Sequence, residues 1–271
     1  MSEKKVIDDF GNEWSSFDQS KLNKNEQNKI FHDYFSIFPL HKLNNNSVGA
    51  DFGCGSGRWS EILYPKVSSI FCVEPSKAIN IAKIKLKNAK NIIFLKEAIQ
   101  NCTIQDSSLD FAISLGVLHH VEDTEFCLKI IYNKLKNNSP FLIYLYSNLE
   151  NKNFLYKMIW KLSNILRIFI SALPFKLKLL ICFFITIFIY LPFAMTSKFL
   201  YKLNISTHNI PLNYYKDKSF YTMRTDTLDR FGTKIEKRFS KNEILKMLNK
   251  VGFKKIKFSN KIPYWCVCCY K

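Results

Sequence analysis

VGADFGCGSGRW, residues 48–59, is the stretch that decides the reading. Val48 to Phe52 is a short apolar run. Gly53-Cys54-Gly55-Ser56-Gly57 follows, and a helix-like stretch runs on from Arg58 to Lys66. Glycines let a backbone turn sharply out of a strand and approach a ligand closely, while the helix start beyond them offers unpaired N–H groups. A dinucleotide loop asks for G-x-G-x-x-G, but here the third glycine comes one residue early and Arg58 stands where that pattern needs a glycine. The spacing points to a nucleotide-type pocket that is not built for a pyrophosphate. Taken alone, three glycines in a loop also read as a simple turn.

Outward from this stretch, short apolar runs alternate with helix-like segments, the pattern of a parallel sheet covered by helices. Strands are expected over 48–53, 69–75, 91–98, 109–116 and 140–146. KAINIAKIKLKN repeats apolar residues at Ile79, Ala82, Ile84 and Leu86 with lysines between them, which suits a surface helix. The closing FKKIKFS and IPYWCVCCY alternate as an antiparallel hairpin does. The expected fold is α/β, a Rossmann-like doubly wound sheet, mostly parallel, with an antiparallel C-terminal hairpin and a mainly helical hydrophobic insert. Residues 1–147 form an N-terminal cap and the first five strands, 148–239 the basic hydrophobic insert with a polar loop, and 240–271 the last helix and closing strands.

With 271 residues, 47% of them apolar and 23% charged, the chain can bury a proper core, and disordered or collagen-like classes are excluded. The charge of +18 is lopsided: 17 Lys+Arg stand against 16 Asp+Glu up to residue 146, and 23 against 6 after it. These later basic residues are interleaved with long aliphatic stretches rather than set in a polar, aromatic-studded groove. An RNA-binding or RNA-modifying protein is therefore the alternative reading. Eight scattered cysteines and a start, MSEKKVIDDF, without the apolar run of a signal peptide lead us to expect a reducing, cytoplasmic setting. Cys266, Cys268 and Cys269 read as strand packing, because no second cluster stands at ligand spacing, and no metal is expected.

Glu74 closes the second strand 17 residues beyond Gly57, where a carboxylate can accept both ribose hydroxyls of an adenosine. Glu97 closes the third. Each alone reads equally as a capping or solvated acid. Three consecutive strands ending in a motif or an acid, at the edge where open α/β sheets bind ligands, point to a site.

VGADFGCGSGRW, FCVEPS, the KEAI stretch and LDFAISLGVLHHVEDT, in that order and spacing, resemble the motifs of class I S-adenosylmethionine-dependent methyltransferases, in particular small-molecule enzymes with V-L-H-H after the fourth strand. The resemblance covers residues 45–147 and the GF-containing unit near the C-terminus, and it implies S-adenosylmethionine as cofactor. It further implies that Gly53, Cys54, Gly55 and Gly57 line the methionine side with Asp51 nearby. Glu74, beside Pro75, would hold the ribose, Glu97 and Ala98 would sit at the adenine edge, and Ser114 and Leu115 would face the sulfonium. Family members often have Asp where Glu97 stands.

Methyl transfer is an in-line displacement on a carbon activated by the sulfonium, so the protein has mainly to align the acceptor and remove its proton. His119 and His120 are the candidate bases, His120 preferred, since imidazole titrates near working pH. Alternatively one ring packs under the helix or caps the turn, or the acceptor needs no base. A non-catalytic S-adenosylmethionine-binding protein would carry the same pocket.

In the insert, FLYKMIWKLSNILRIFISAL (154–173) places Lys157, Lys161, Asn164, Arg167 and Ser171 at steps of three or four, a basic amphipathic helix. LKLLICFFITIFIYLPFAM (177–195) has no charge after Lys178 and is at the lower limit for crossing ~30 Å of hydrocarbon. A single crossing would leave strands of one sheet on opposite sides of the bilayer. Lys176 and Lys178 before the run and Lys198 and Lys202 after it give no inside/outside asymmetry either. The insert is thus an in-plane helix or a hairpin turning near Pro174 on the anionic cytoplasmic membrane face, or else a soluble lid, and the expected acceptor is hydrophobic or lipid-linked. YKDKSFYTMRTDTLDRFGTKIEKRFS (215–240) is expected as a polar loop offering Tyr221, Arg224, Asp226 and Arg230 to the acceptor, or as a solvated surface segment. Trp14, in FGNEWSSF, is expected in core packing ahead of a role as a cap on the pocket.

Overall fold

The computed structural model describes residues 3–207, 210–261 and 265–271, so the first residues of the expected last strand, 262–264, lie outside the described residues. The chain divides into two compact units: Met1–Gln19, Asn28–Asn148 and Ile235–Lys271 form the first, Ser20–Gln27 and Leu149–Lys234 the second.

The first unit runs through α1 (Glu3–Ser16), α2 (Lys24–Phe35, whose first turn belongs to the second unit), β1 (Val48–Phe52), α3 (Ser60–Leu63), β2 (Ser69–Val73), α4 (Ala78–Lys85), β3 (Ile92–Leu95), β4 (Phe111–Leu115), α5 (Thr124–Lys134) and β5 (Pro140–Tyr144). The second unit supplies α6 (Phe154–Ala172), α7 (Phe175–Ile185), α8 (Leu191–Lys202) and α9 (Phe220–Gly232), after which α10 (Lys241–Val251), β6 (Lys254–Phe258) and β7 (Cys266–Tyr270) complete the first.

The seven strands lie in the order β3-β2-β1-β4-β5-β7-β6. The first five are parallel, and β7 runs antiparallel to both β5 and β6. The expected Rossmann-like sheet with an antiparallel closing hairpin is what the chain forms. β4 and most of β1, β5 and β7 are buried, which explains their nearly continuous apolar runs. Phe52, Leu128, Phe141, Leu248 and Phe253 fill one face of the sheet, and Phe31, Phe35, Leu63 and Leu142 the other. The strand order reverses between β1 and β4, and an open sheet has its ligand crevice beyond the carboxyl ends of such a pair.

Local chemistry sets the closing elements. Ser240 and Glu243 form a capping box at the start of α10, and Gly252 ends that helix at φ 115°. The chain leaves and re-enters the first unit side by side: the Phe239 N–H bonds the Tyr146 carbonyl (2.8 Å) and the Asn148 N–H bonds the Phe239 carbonyl (3.0 Å). Cys266, Cys268 and Cys269 lie buried on β7, and burial pushes their thiols up. Among the described residues no group of His, Cys, Asp or Glu is assembled to hold a metal ion.

In the second unit, α7, a π-helical turn (Thr186–Tyr190) and α8 make one helix, Phe175–Lys202, long and apolar enough to cross a membrane by length and composition. The segment expected as a polar loop is largely helix α9, which packs on α6 and α7. Ser219 caps it, accepting from the Thr222 N–H (3.2 Å), and Glu26 accepts from the Ser219 N–H (3.0 Å) and the Thr222 hydroxyl (2.9 Å). Polarity concealed this helix, because its Thr222, Thr225 and Thr227 are buried. On the polar stripe of α6, Arg167 and Ser171 are buried. Arg167 donates to the carbonyls of Thr233 (2.8 Å) and Lys234 (3.0 Å), and Lys178 to that of Gly232 (2.9 Å). Both cations thus meet the negative end of the α9 dipole.

A Cβ at Gly49 would lie 2.0 Å from Cζ of Phe111, so the missing side chain lets that ring cross β1. Gly49→Val is expected to lose ~1–3 kcal/mol of stability through overpacking; a urea midpoint equal to the wild type would contradict this packing.

Candidate functional site

Where β1 ends, the N–H groups of Gly53 and Cys54 both bond the Val73 carbonyl (2.8 and 3.2 Å), pinning the turn to β2. Gly53, Gly55 and Gly57 have φ of 78°, 54° and 75°, a conformation that costs other residues ~1–2 kcal/mol. There is no room for a side chain either. A Cβ would stand 2.3 Å from Val117 at position 53, 2.7 Å from Leu86 at 57 and 2.8 Å from the Trp14 indole at 55. Glu74, buried at the end of β2 and followed by the half-buried Pro75, accepts from the Gly55 N–H through Oε2 (3.2 Å) and from the Ser76 N–H through Oε1 (2.9 Å). Burial raises its pKa, opposed by the bonds from Ser76 and Gly55.

Asp51 stands just below the turn. Its Oδ2 accepts from the Ser60 hydroxyl (2.8 Å), which in turn accepts from the Cys72 thiol (3.2 Å). Burial pushes the Asp51 carboxyl up to about 7, with Glu74 adding to the rise and Ser60 and Arg58 opposing it. Three buried polar atoms at this turn, Oδ1 of Asp51, Oγ of Ser56 and Nε of Arg58, have no hydrogen-bond partner among the described residues. Buried polar atoms are ordinarily paired, so the cluster is shaped for a polar ligand. The Arg58 guanidinium lies 4.1 Å from the Trp59 ring centroid and 5.9 Å from that of Trp14. A guanidinium, a hydroxyl and two carboxylates around a glycine turn fit the zwitterionic methionine end and the ribose of S-adenosylmethionine.

On the β4 side the turn begins at Gly116 (φ 83°), and a Cβ there would meet nothing within 4 Å. This open place beside the strand-order reversal was not among the expected positions, although a glycine directly after a strand marks it. Ser114 is buried and donates to the Phe52 carbonyl (3.1 Å), so its hydroxyl braces β4 against β1, and Leu115 packs in the core. The Glu97 carboxylate accepts from the Thr103 N–H (2.9 Å) and hydroxyl (3.0 Å) and closes the turn after β3, the capping reading of that acid; Ala98 begins the same turn.

His119 is fully buried and stacked on Tyr146, ring centroids 3.7 Å apart. Burial, with His120 and Arg238 adding, holds its pKa well below the usual imidazole range. His120 has Nδ1 2.6 Å from the Ile235 carbonyl. A carbonyl only accepts, so Nδ1 carries a proton, and in the neutral ring the lone pair is then at Nε2.

Helix α1 lies across the ends of β1, β2 and β4. Trp14 faces Gly55, Asn12 accepts from Lys77 Nζ (2.6 Å), and the Phe10 ring stands 4.9 Å from that of His120. Trp14 is half-buried over the glycine turn rather than packed in the core, because Gly55 leaves space for its indole. Tyr221, Arg224, Asp226 and Arg230 all fall on α9, in the second unit. There Asp226 accepts from the Tyr215 hydroxyl (3.0 Å), Arg224 lies over Phe183 and Arg230 over Trp160.

Folding holds the Asp51 proton that the unfolded chain releases near its usual 3.8. The group's contribution to stability therefore falls as pH rises from about 4 to about 7, by at most ~4 kcal/mol. Asp51→Asn is expected to remove that slope, gaining on the wild type between pH 5 and pH 8 in urea titrations (on the order of the ordinary stability range); parallel curves would contradict the assignment. Trp14→Ala is expected to fold and to bind S-adenosylhomocysteine ~10-fold more weakly by calorimetry, and unchanged affinity would remove α1 from the site.

Residues 50–143 match the family model described as a methyltransferase domain. None of the curated proteins matches the chain. Among solved structures, a methyltransferase candidate from Bacillus halodurans aligns over 83% of this chain and 70% of its own, at 12% identity and TM-score 0.50. A Bordetella parapertussis protein described as a possible exported protein aligns over 90% and 67%, at 11% identity and TM-score 0.52. The YcgJ protein of Bacillus subtilis aligns at 20% identity and TM-score 0.44 over 51% of this chain, which spans 59% of the YcgJ length. At these identities the structures speak to the fold alone. The family match and the glycine turn with its partnerless polar atoms agree: residues 50–143 are a methyltransferase domain of the class I, S-adenosylmethionine-dependent kind.

Proposed function

We propose that the chain transfers a methyl group from S-adenosylmethionine to a hydrophobic or lipid-linked small molecule at the cytoplasmic face of a membrane. The observation that carries this reading is the glycine turn, where three buried polar atoms await partners beside Glu74. When bound, the cofactor supplies a methyl carbon activated by its sulfonium. Arg58 and the Ser56 hydroxyl hold the charged methionine end, Glu74 receives the ribose hydroxyls, and α1 keeps water from the turn through Trp14. His120 takes the acceptor's proton at Nε2, its tautomer set by the Ile235 carbonyl. His119, neutral and stacked on Tyr146, positions that ring. Support for an apolar acceptor comes from the second unit, whose outer surface is rich in Phe, Leu and Ile.

Glu74→Ala is expected to weaken S-adenosylhomocysteine binding more than ~10-fold, since a lost charge-assisted pair costs ~1.5–3 kcal/mol. Labelled methyl groups from the cofactor are expected to enter the lipid fraction of a cell extract. Wild-type affinity in Glu74→Ala, or label confined to RNA, would overturn the reading.

A further inference from the structure

Helices α6 to α8 of the second unit turn few large apolar side chains inward and many outward, although α9 brings Met223, Leu228 and Phe231 to the interior. Of the nine buried residues in α6 to α8, Ile170 is the one large aliphatic; Arg167, Ser171, Lys178, Thr186 and Ser197 are polar. The interior is hydrogen-bonded. Besides the bonds of Arg167 and Lys178 to the end of α9, the Thr186 hydroxyl reaches Thr227 (3.1 Å). Outward stand Phe154 (81% exposed), Phe169 (70%), Phe188 (71%) and Phe199 (62%), with many Leu and Ile among them. In water such side chains forgo burial, and so many of them exposed on one set of helices mark a partner.

Charge and topology identify the partner. From residue 151 to 216 the sequence has nine Lys or Arg and no Asp or Glu, and Lys161, Lys176, Lys198 and Lys202 are exposed. Helices satisfy their own backbone groups, as hydrocarbon requires. β5, before the insert, and β7, after it, pair in one sheet, so the chain enters and leaves on the same side. We infer that α6 to α8 dock into one leaflet of an anionic bilayer without crossing it, the phenylalanines in the acyl region and the lysines at the headgroups. Each near-surface lysine adds attraction to anionic lipid. The inference rests on the membrane-face reading above and names the surface that meets the lipid.

Flotation of the full chain with vesicles tests it. The chain is expected to float with phosphatidylcholine vesicles containing about 30% phosphatidylglycerol, and less well with phosphatidylcholine alone or at high salt. The double variant Phe169→Asp, Phe188→Asp changes two exposed positions and is expected to lose at least ~10-fold of vesicle binding. Its affinity for S-adenosylhomocysteine, a property of the first unit, is expected to stay at the wild-type value. The docking is overturned if the wild type stays with the soluble fraction, if the double variant floats as well as the wild type, or if an RNA oligonucleotide binds both forms equally while vesicles bind neither. Flotation without S-adenosylhomocysteine binding would support the docking and count against the methyltransferase reading alone.

Discussion

The two oxygens of the Glu74 carboxylate set the geometry on which the first unit's site depends. One accepts from Gly55 and the other from Ser76, so a single buried acid ties the turn after β1 to the turn after β2. That bond requires Gly55 in the left-handed region, and the same missing side chain admits Trp14. Burial raises the carboxyl's pKa while the two N–H bonds oppose the rise. The acid thus has a reason to stay in place before any ligand arrives, and the polar atoms around it have a ligand to wait for.

The second unit distributes its side chains differently from the first. Its interior mixes threonine, serine and two hydrogen-bonded cations with Ile170, Tyr190, Met223, Leu228 and Phe231, while many large apolar side chains of α6 to α8 stand outside, which is costly in a body surrounded by water. Under the proposed docking, lipid rather than water would meet those outer side chains. The last carbonyls of α9 and the segment just after it receive Arg167 and Lys178.

Most of the first unit was legible in the sequence, because its strands are buried runs closed by glycine or acid, and the alternation of short runs with helices allows few topologies. The glycine turn and Glu74 stood out for the same reason: left-handed backbone and a lone acid at a strand end leave marks in residue type. What residue type and spacing leave open shares a cause. Glu97 and Ser114 stand in the site by position along the strands, and the structure adds hydrogen bonds to Thr103 and to the Phe52 carbonyl, which no spacing encodes. Helix α9 does not announce itself in the sequence because its buried face carries Thr222, Thr225 and Thr227 beside Met223, Leu228 and Phe231. Trp14 depended on a contact between residues far apart in the chain.

The central claim, that the turn after β1 holds an adenosine-bearing sulfonium, is tested most directly by hydrogen–deuterium exchange with and without S-adenosylhomocysteine. The account predicts slowed exchange at the amides of residues 53–60 and 74–76, with the strands of the sheet unchanged. Equal exchange at the glycine turn in saturating ligand, or protection confined to residues 154–232, would contradict it.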